Sequence, residues 1–306
     1  MLSILESRLI TAIVTPFTDA DALDVPALER LISHLIANKT DALVLAGTTG
    51  EGSALSLDEK KTLLKTAQAV TAGRNIPLIF ATGTNNTRTS IELSKQMADA
   101  GADALLVVCP YYVKPSQEGL YQHFVAVAKA VNPTPITIYN IPGRTSVTMT
   151  PATMARLAKD CPNIVGVKQS LADMDAVTEI KQLCPQNFQI WSGDDSLTLP
   201  MMALGAIGVI SVASHLYGPE MAALIEAITL NDLKTAQAYH QKVYPAIKAL
   251  FSHPNPMVVK ACLHEMGLIG PALRLPMLPL NASEKAELKP LFSSLPKANQ
   301  PVLTSP

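Results

Sequence analysis

The chain has 306 residues, of which 48% are hydrophobic and 16% charged, and its net charge is −1. That length and apolar content exclude a disordered or fibrous chain and leave room for one large α/β barrel with an appendage, or for two ordinary domains. The balanced charge removes the electrostatic footprint of a nucleic-acid or anionic-membrane binder, so a small-molecule enzyme is expected.

Apolar, β-rich runs recur along the chain. The first spans residues 10–14 and is followed by a helical stretch at 25–37, in which Leu28, Leu31, Ile32, Leu35 and Ile36 share one face. A strand at 42–46 precedes Ser56-Leu57-Asp58-Glu59, a capping box that opens a helix ending at Gly73. Strands at 77–81, 104–108 and 135–139 precede helices at 87–101, 116–131 and 151–159. Strands at 164–167, 188–191 and 208–212 precede helices at 173–183, 196–204 and 219–229.

Eight strands alternating with eight helices predict an α/β fold, a closed (β/α)8 TIM barrel over residues 1–229. An open doubly wound sheet is the alternative, but Ile13-Val14-Thr15-Pro16-Phe17 stands where its glycine-rich fingerprint would be. Helices at 232–251, 256–266 and 283–292 form a C-terminal helical extension over 230–295, and 296–306 reads as a disordered polar tail.

Cys109, Cys161, Cys184 and Cys262 form no C-x-x-C pair, and the six histidines show no ligand spacing, so neither a disulfide framework nor a metal is predicted. The amino terminus lacks the basic region and apolar core of a signal peptide. No apolar run approaches the ~18 residues of a membrane span. A cytoplasmic protein without a membrane partner is expected.

In such a barrel the chemistry gathers at the carboxyl ends of the strands. Asn163-Ile164-Val165-Gly166-Val167-Lys168 reads as a buried strand with a lysine at its end. Apolar surroundings disfavour an ammonium, and a neutral amine is what a Schiff-base nucleophile requires; a solvated lysine is the plain alternative. After the second strand, Gly47-Thr48-Thr49-Gly50-Glu51-Gly52-Ser53 offers hydroxyls and N–H groups for a carboxylate, without the Gly-Lys-Ser/Thr ending of a phosphate loop. Pro110-Tyr111-Tyr112 follows the fourth strand. Tyr139-Asn140-Ile141-Pro142-Gly143-Arg144-Thr145 ends the fifth, with a phenol suited to proton transfer and a guanidinium suited to gripping a carboxylate. In Ser192-Gly193-Asp194-Asp195 an aspartate is read as a helix N-cap rather than a magnesium ligand.

Taken together, Gly47-Thr48-Thr49-Gly50-Glu51, Pro110-Tyr111-Tyr112, Tyr139 to Thr145, Gly166-Val167-Lys168, Ser192-Gly193-Asp194-Asp195 and Gly208-Val209-Ile210-Ser211 resemble the dihydrodipicolinate synthase and N-acetylneuraminate lyase superfamily of class I pyruvate aldolases. The resemblance runs from about Arg8 to Leu280 and includes Asn255-Pro256 and Leu275-Pro276. It implies that Lys168 attacks the keto carbon of pyruvate to give an imine and then an enamine, with no cofactor beyond that covalent imine. It also implies that Thr48 and Thr49 hold the pyruvate carboxylate, that Gly193 and Ile210 line the pyruvate pocket, and that Arg144 receives the second substrate. Tyr139 would shuttle protons through Thr48 to Tyr112 of a neighbouring subunit, so a self-associated dimer or tetramer is implied.

Arg144 points to the synthase branch, whose second substrate is L-aspartate-4-semialdehyde and whose product, 4-hydroxytetrahydrodipicolinate, lies on the diaminopimelate route to lysine. Two features depart from that branch. Gln169-Ser170-Leu171 replaces an acidic residue followed by a small hydroxyl or glycine cluster, which bears on the substrate rather than on the Schiff base. Leu57, Lys60 and Thr89 stand where lysine-inhibited synthases carry histidines and a glutamate, while Asn85 and Tyr111 remain, so weak or absent inhibition by lysine is predicted. Two other readings stay open. One is an aldolase for a 2-keto-3-deoxy sugar acid, N-acetylneuraminate or 4-hydroxy-2-oxoglutarate; the other is a non-catalytic barrel that binds 2-oxo acids.

Overall fold

In the computed structural model, which describes residues 4–296, all eight apolar runs are strands. They are β1 (Leu9–Ala12), β2 (Ala42–Leu45), β3 (Leu78–Ala81), β4 (Ala104–Val108), β5 (Ile136–Asn140), β6 (Ile164–Gln169), β7 (Gln189–Ser192) and β8 (Gly208–Ser211). Each pairs in parallel with the next, and β8 pairs with β1, which closes the barrel. The strands are buried on both faces, so their alternate residues divide between two cores. Ile10, Val44, Ile79, Leu106, Trp191 and Ile210 fill the barrel, while Leu9, Leu43, Leu78, Leu105, Val167 and Val209 pack outward against the helices.

The barrel helices are α1 (Val25–Ala37), α2 (Leu57–Thr71), α3 (Thr87–Asp99), α4 (Gln117–Val131), α5 (Pro142–Thr145), α6 (Pro151–Asp160), α7 (Met174–Leu183), α8 (Thr198–Ala203) and α9 (Ser214–Thr229). The predicted capping box is present at the start of α2, where Ser56 and Glu59 satisfy each other's backbone N–H groups. No helix among the described residues is long and apolar enough to cross a membrane.

Several boundaries differ from the sequence reading, and side-chain hydrogen bonds account for them. The first strand stops at Ala12 rather than at residue 14, because the Val14 N–H is given to His215 Nε2 at 3.2 Å instead of to a ladder. The sixth strand runs past Lys168 to Gln169, and the Asn140 amide donates to Gln169 Oε1 at 2.9 Å across that last pair. α5 falls in what the sequence presents as a loop, with Pro142 in its first turn. α9 begins five residues before Pro219, since Ser211 Oγ accepts the Ser214 N–H and starts the helix earlier; the break felt by the sequence survives as a kink at Tyr217.

Beyond α9 the chain forms α10 (Leu233–Leu250), α11 (Met257–Glu265), α12 (Ala282–Glu287) and α13 (Lys289–Ser293). The single helix predicted over 283–292 is therefore two, interrupted at Leu288 just before Pro290, whose nitrogen carries no hydrogen to continue the ladder. The predicted tail at 296–306 lies, from residue 297 on, outside the described residues.

Candidate active site

Lys168 does not end the sheet; it sits within β6, opposite Tyr139 on β5 and Trp191 on β7. Backbone pairing on both sides fixes where its stem begins. The side chain is buried to 6% exposure, and its Nζ lies 4.4 Å from the centroid of the Tyr139 ring, itself buried. The indole of Trp191 closes the barrel beneath by donating to the Ser7 carbonyl at 2.9 Å. Gly193 leaves room beside this lysine: a Cβ there would stand 1.8 Å from Ser170 Oγ and 3.1 Å from Lys168 Cε, so those side chains would have to shift. Ile210, 1% exposed, belongs to the same barrel cluster as Tyr139.

The turn after β2 carries Thr48, exposed, and Thr49, buried. It folds back sharply. A Cβ on Gly52 would lie 1.8 Å from the Ala46 carbonyl oxygen, and Glu51 adopts a left-handed φ of 51°. What holds the turn comes from the far end of the chain. Asn255 Nδ2 donates to Thr49 Oγ1 at 2.8 Å. Lys260 Nζ donates to Glu51 Oε1 at 2.7 Å and to the Thr15 carbonyl at 2.9 Å, while the Arg274 N–H donates to Glu51 Oε2 at 2.9 Å. Burial pulls the Lys260 ammonium down and Glu51 pushes it back up. The Arg274 guanidinium grips Glu59 and holds that carboxyl at about 2.

Sequence reasoning named Thr49 and missed this support. The signal was an isolated lysine in the apolar run Met257-Val258-Val259-Lys260-Ala261-Cys262-Leu263, which can be buried only against an acid.

Arg144 is exposed on α5 and makes no ion pair among the described residues. Tyr112 protrudes at 85% exposure with φ 72°, its N–H bonded to the Thr145 carbonyl at 3.4 Å. The chain thus brings Lys168, Tyr139, Gly193 and Ile210 together. Among the described residues no hydrogen bond links the hydroxyls of Thr48, Tyr139 and Tyr112.

Of the paired aspartates, Asp194 is the cap, accepting the Ser196 N–H at 2.9 Å at the start of a 3-10 turn. Asp195 does something the sequence did not suggest. Buried at 2% exposure, it accepts from Ser211 Oγ and from the N–H groups of Val212 and Ala213, tying β7 to the chain leaving β8. Desolvation pushes its carboxyl up. Burial pushes the His215 imidazole down to about 4, where it serves as the acceptor for Val14. Among the described residues no group of three or more His, Cys, Asp or Glu could hold a metal ion.

The model of the dihydrodipicolinate synthetase family matches residues 5–295. The 4-hydroxy-tetrahydrodipicolinate synthase 1 of Halalkalibacterium halodurans is 46% identical over 282 residues, covering 92% of this chain and 95% of that protein. The crystal structure of a dihydrodipicolinate synthase from Bacillus anthracis superposes with a TM-score of 0.91 at 42% identity, covering 95% of this chain and 98% of that one. A lysine-bound dihydrodipicolinate synthase from Cyanidioschyzon merolae gives a TM-score of 0.91 at 39% identity, covering 94% and 97% of the two chains. With the family model matched over residues 5–295 and a relative 46% identical over 92% of its length, the chain belongs to the dihydrodipicolinate synthetase family.

Proposed function

We propose that this chain is a Schiff-base lyase that condenses pyruvate with L-aspartate-4-semialdehyde, giving 4-hydroxytetrahydrodipicolinate for the diaminopimelate route to lysine. The observation that carries the reading is Lys168 itself, its Nζ 4.4 Å from the Tyr139 ring centroid and shielded from solvent within a closed barrel. Such an amine, when neutral, adds to the keto carbon of pyruvate; loss of water gives the imine, and loss of a methyl proton gives the enamine that attacks the aldehyde. Thr49 and Thr48 hold the pyruvate carboxylate, and Gly193 and Ile210 line its pocket. Tyr139 moves the protons. A binding-only barrel has no use for that phenol, and a sugar-acid aldolase has less use for Arg144.

Arg144 supplies the test of the second substrate. Its exposed guanidinium receives the semialdehyde carboxylate, so Arg144→Ala is expected to form the pyruvate adduct at the wild-type level. The same variant should lose on the order of 100-fold in turnover with the semialdehyde, the scale of a charge-assisted bidentate pair. A coupled assay that finds turnover retained would remove Arg144 from the acceptor site.

Tyr112 belongs to the same reading through a second copy of the chain. An exposed phenol in a left-handed turn reaches away from its own barrel. Delivered across a subunit interface it completes the relay from Tyr139 through Thr48, and the active species is then a dimer or a tetramer of paired dimers.

Feedback by lysine is expected to be weak. Lysine brings two ammonium groups, and with Thr89 in place of a carboxylate and Lys60 adding positive charge, one of them would be buried without compensation. Half-inhibition well below about millimolar lysine in the turnover assay would contradict this.

A further inference from the structure

The assignment of Thr49 to the pyruvate carboxylate leaves open how its hydroxyl comes to point the right way. A threonine hydroxyl has one hydrogen and can either donate or accept toward a neighbour. A carboxylate only accepts, so Thr49 must keep its hydrogen for the ligand. Asn255 Nδ2 donates to Thr49 Oγ1 at 2.8 Å, and among the described residues no protein acceptor takes the Thr49 hydrogen.

We infer that Asn255 is a positioning residue for the first substrate. By occupying the acceptor side of the Thr49 oxygen, its amide turns the hydroxyl hydrogen toward the pyruvate carboxylate. The inference rests on the proposed role of Thr49. It draws support from the surroundings of Asn255, which lies in the turn between α10 and α11. Five residues on, Lys260 anchors α11 to Glu51, two residues after Thr49, by a buried ion pair at 2.7 Å. The Arg274 N–H holds the other oxygen of Glu51. The C-terminal segment therefore fixes both the position of the turn and the polarity of the hydroxyl on it.

An orienting amide and a merely structural one differ in what they change. Among the described residues the Asn255 side chain hydrogen-bonds to Thr49 and not to Lys168 or Arg144, so an orienting role acts on the pyruvate requirement and leaves the dependence on semialdehyde as it was. It also acts only through Thr49.

The test is a pyruvate titration of borohydride-trapped adduct, read by intact mass on the full-length protein, for wild type, Thr49→Val, Asn255→Ala and the double variant. Thr49→Val is expected to raise the pyruvate concentration for half-labelling by roughly 10-fold or more, as for a lost hydrogen bond to a charged group. Asn255→Ala is expected to raise it roughly 3- to 10-fold in the wild-type background and by less than about twofold in the Thr49→Val background. Methyl pyruvate, which lacks the anionic carboxylate, is expected to label both Thr49-containing proteins alike.

If Thr49→Val leaves the half-labelling point unchanged, the carboxylate role of Thr49 itself fails. If Thr49→Val shifts it but the Asn255 effect is absent, multiplies undiminished in the double variant, or appears equally with methyl pyruvate, the orienting role is overturned while Thr49 keeps its assignment. Should Asn255→Ala not fold, Asn255→Ser, whose hydroxyl is too short to reach Thr49, takes its place in the same cycle with the same outcomes.

Discussion

Lys168→Ala is expected to abolish the adduct that pyruvate and borohydride leave on the wild-type protein, and to lower turnover by on the order of 10^4-fold or more, the scale seen when a covalent nucleophile is removed. Among the described residues no second buried amine is free to take over. The other deeply buried lysine, Lys260, has a side chain 0% exposed and is committed to Glu51 and the Thr15 carbonyl. Every other lysine among the described residues is half-buried or exposed. The fold itself should survive, because the backbone at this position is held by pairs to both Tyr139 and Trp191. Intact-mass spectrometry decides the matter: a pyruvate-dependent adduct persisting in Lys168→Ala would move the Schiff base elsewhere and take the proposed chemistry with it.

Lys260→Met is expected to cost about 3–5 kcal/mol of stability, the penalty for stranding one member of a buried ion pair. Glu51 has only 3% side-chain exposure, and it would keep one backbone donor, the Arg274 N–H, while losing its counter-charge. In a chain this size such a loss lowers the midpoint of thermal unfolding by roughly 5–8 °C. Glu51→Gln removes the stranded charge. Combined with Lys260→Met it should recover part of the loss, because a neutral pair in this pocket owes no desolvation of ions. Urea denaturation of the three variants gives the comparison. A Lys260→Met protein less than about 1 kcal/mol below wild type would mean that water or a neighbour relieves Glu51, and that the pair does not secure the turn beside it.

The barrel was legible because its strands are buried on both faces and read as short apolar runs, as in Ala42–Leu45 and Ala104–Val108. The helices were legible from the capping box at Ser56 and from the apolar stripe of residues 25–37. What escaped depends on side chains that meet from distant parts of the chain. Nothing local reveals that Val14 gives its N–H to His215, or that Asp195 collects the N–H groups after β8. Lys168 and Tyr139 could be named from their places near the carboxyl ends of apolar runs, and the family resemblance implied roles for them. The role of Asn255 could not, and the isolated Lys260 signals burial against an acid without saying which, since each has its partner about two hundred positions away.

That separation has a consequence for how the protein is made. Glu51 leaves the ribosome 209 residues before Lys260. Until the last fifth of the chain is synthesised, the acidic turn has no counter-charge and cannot be desolvated without cost. The nascent barrel can therefore assemble its strands before that corner is sealed, and the turn carrying Thr49 gains its hydrogen-bond and ionic partners only once α11 is made.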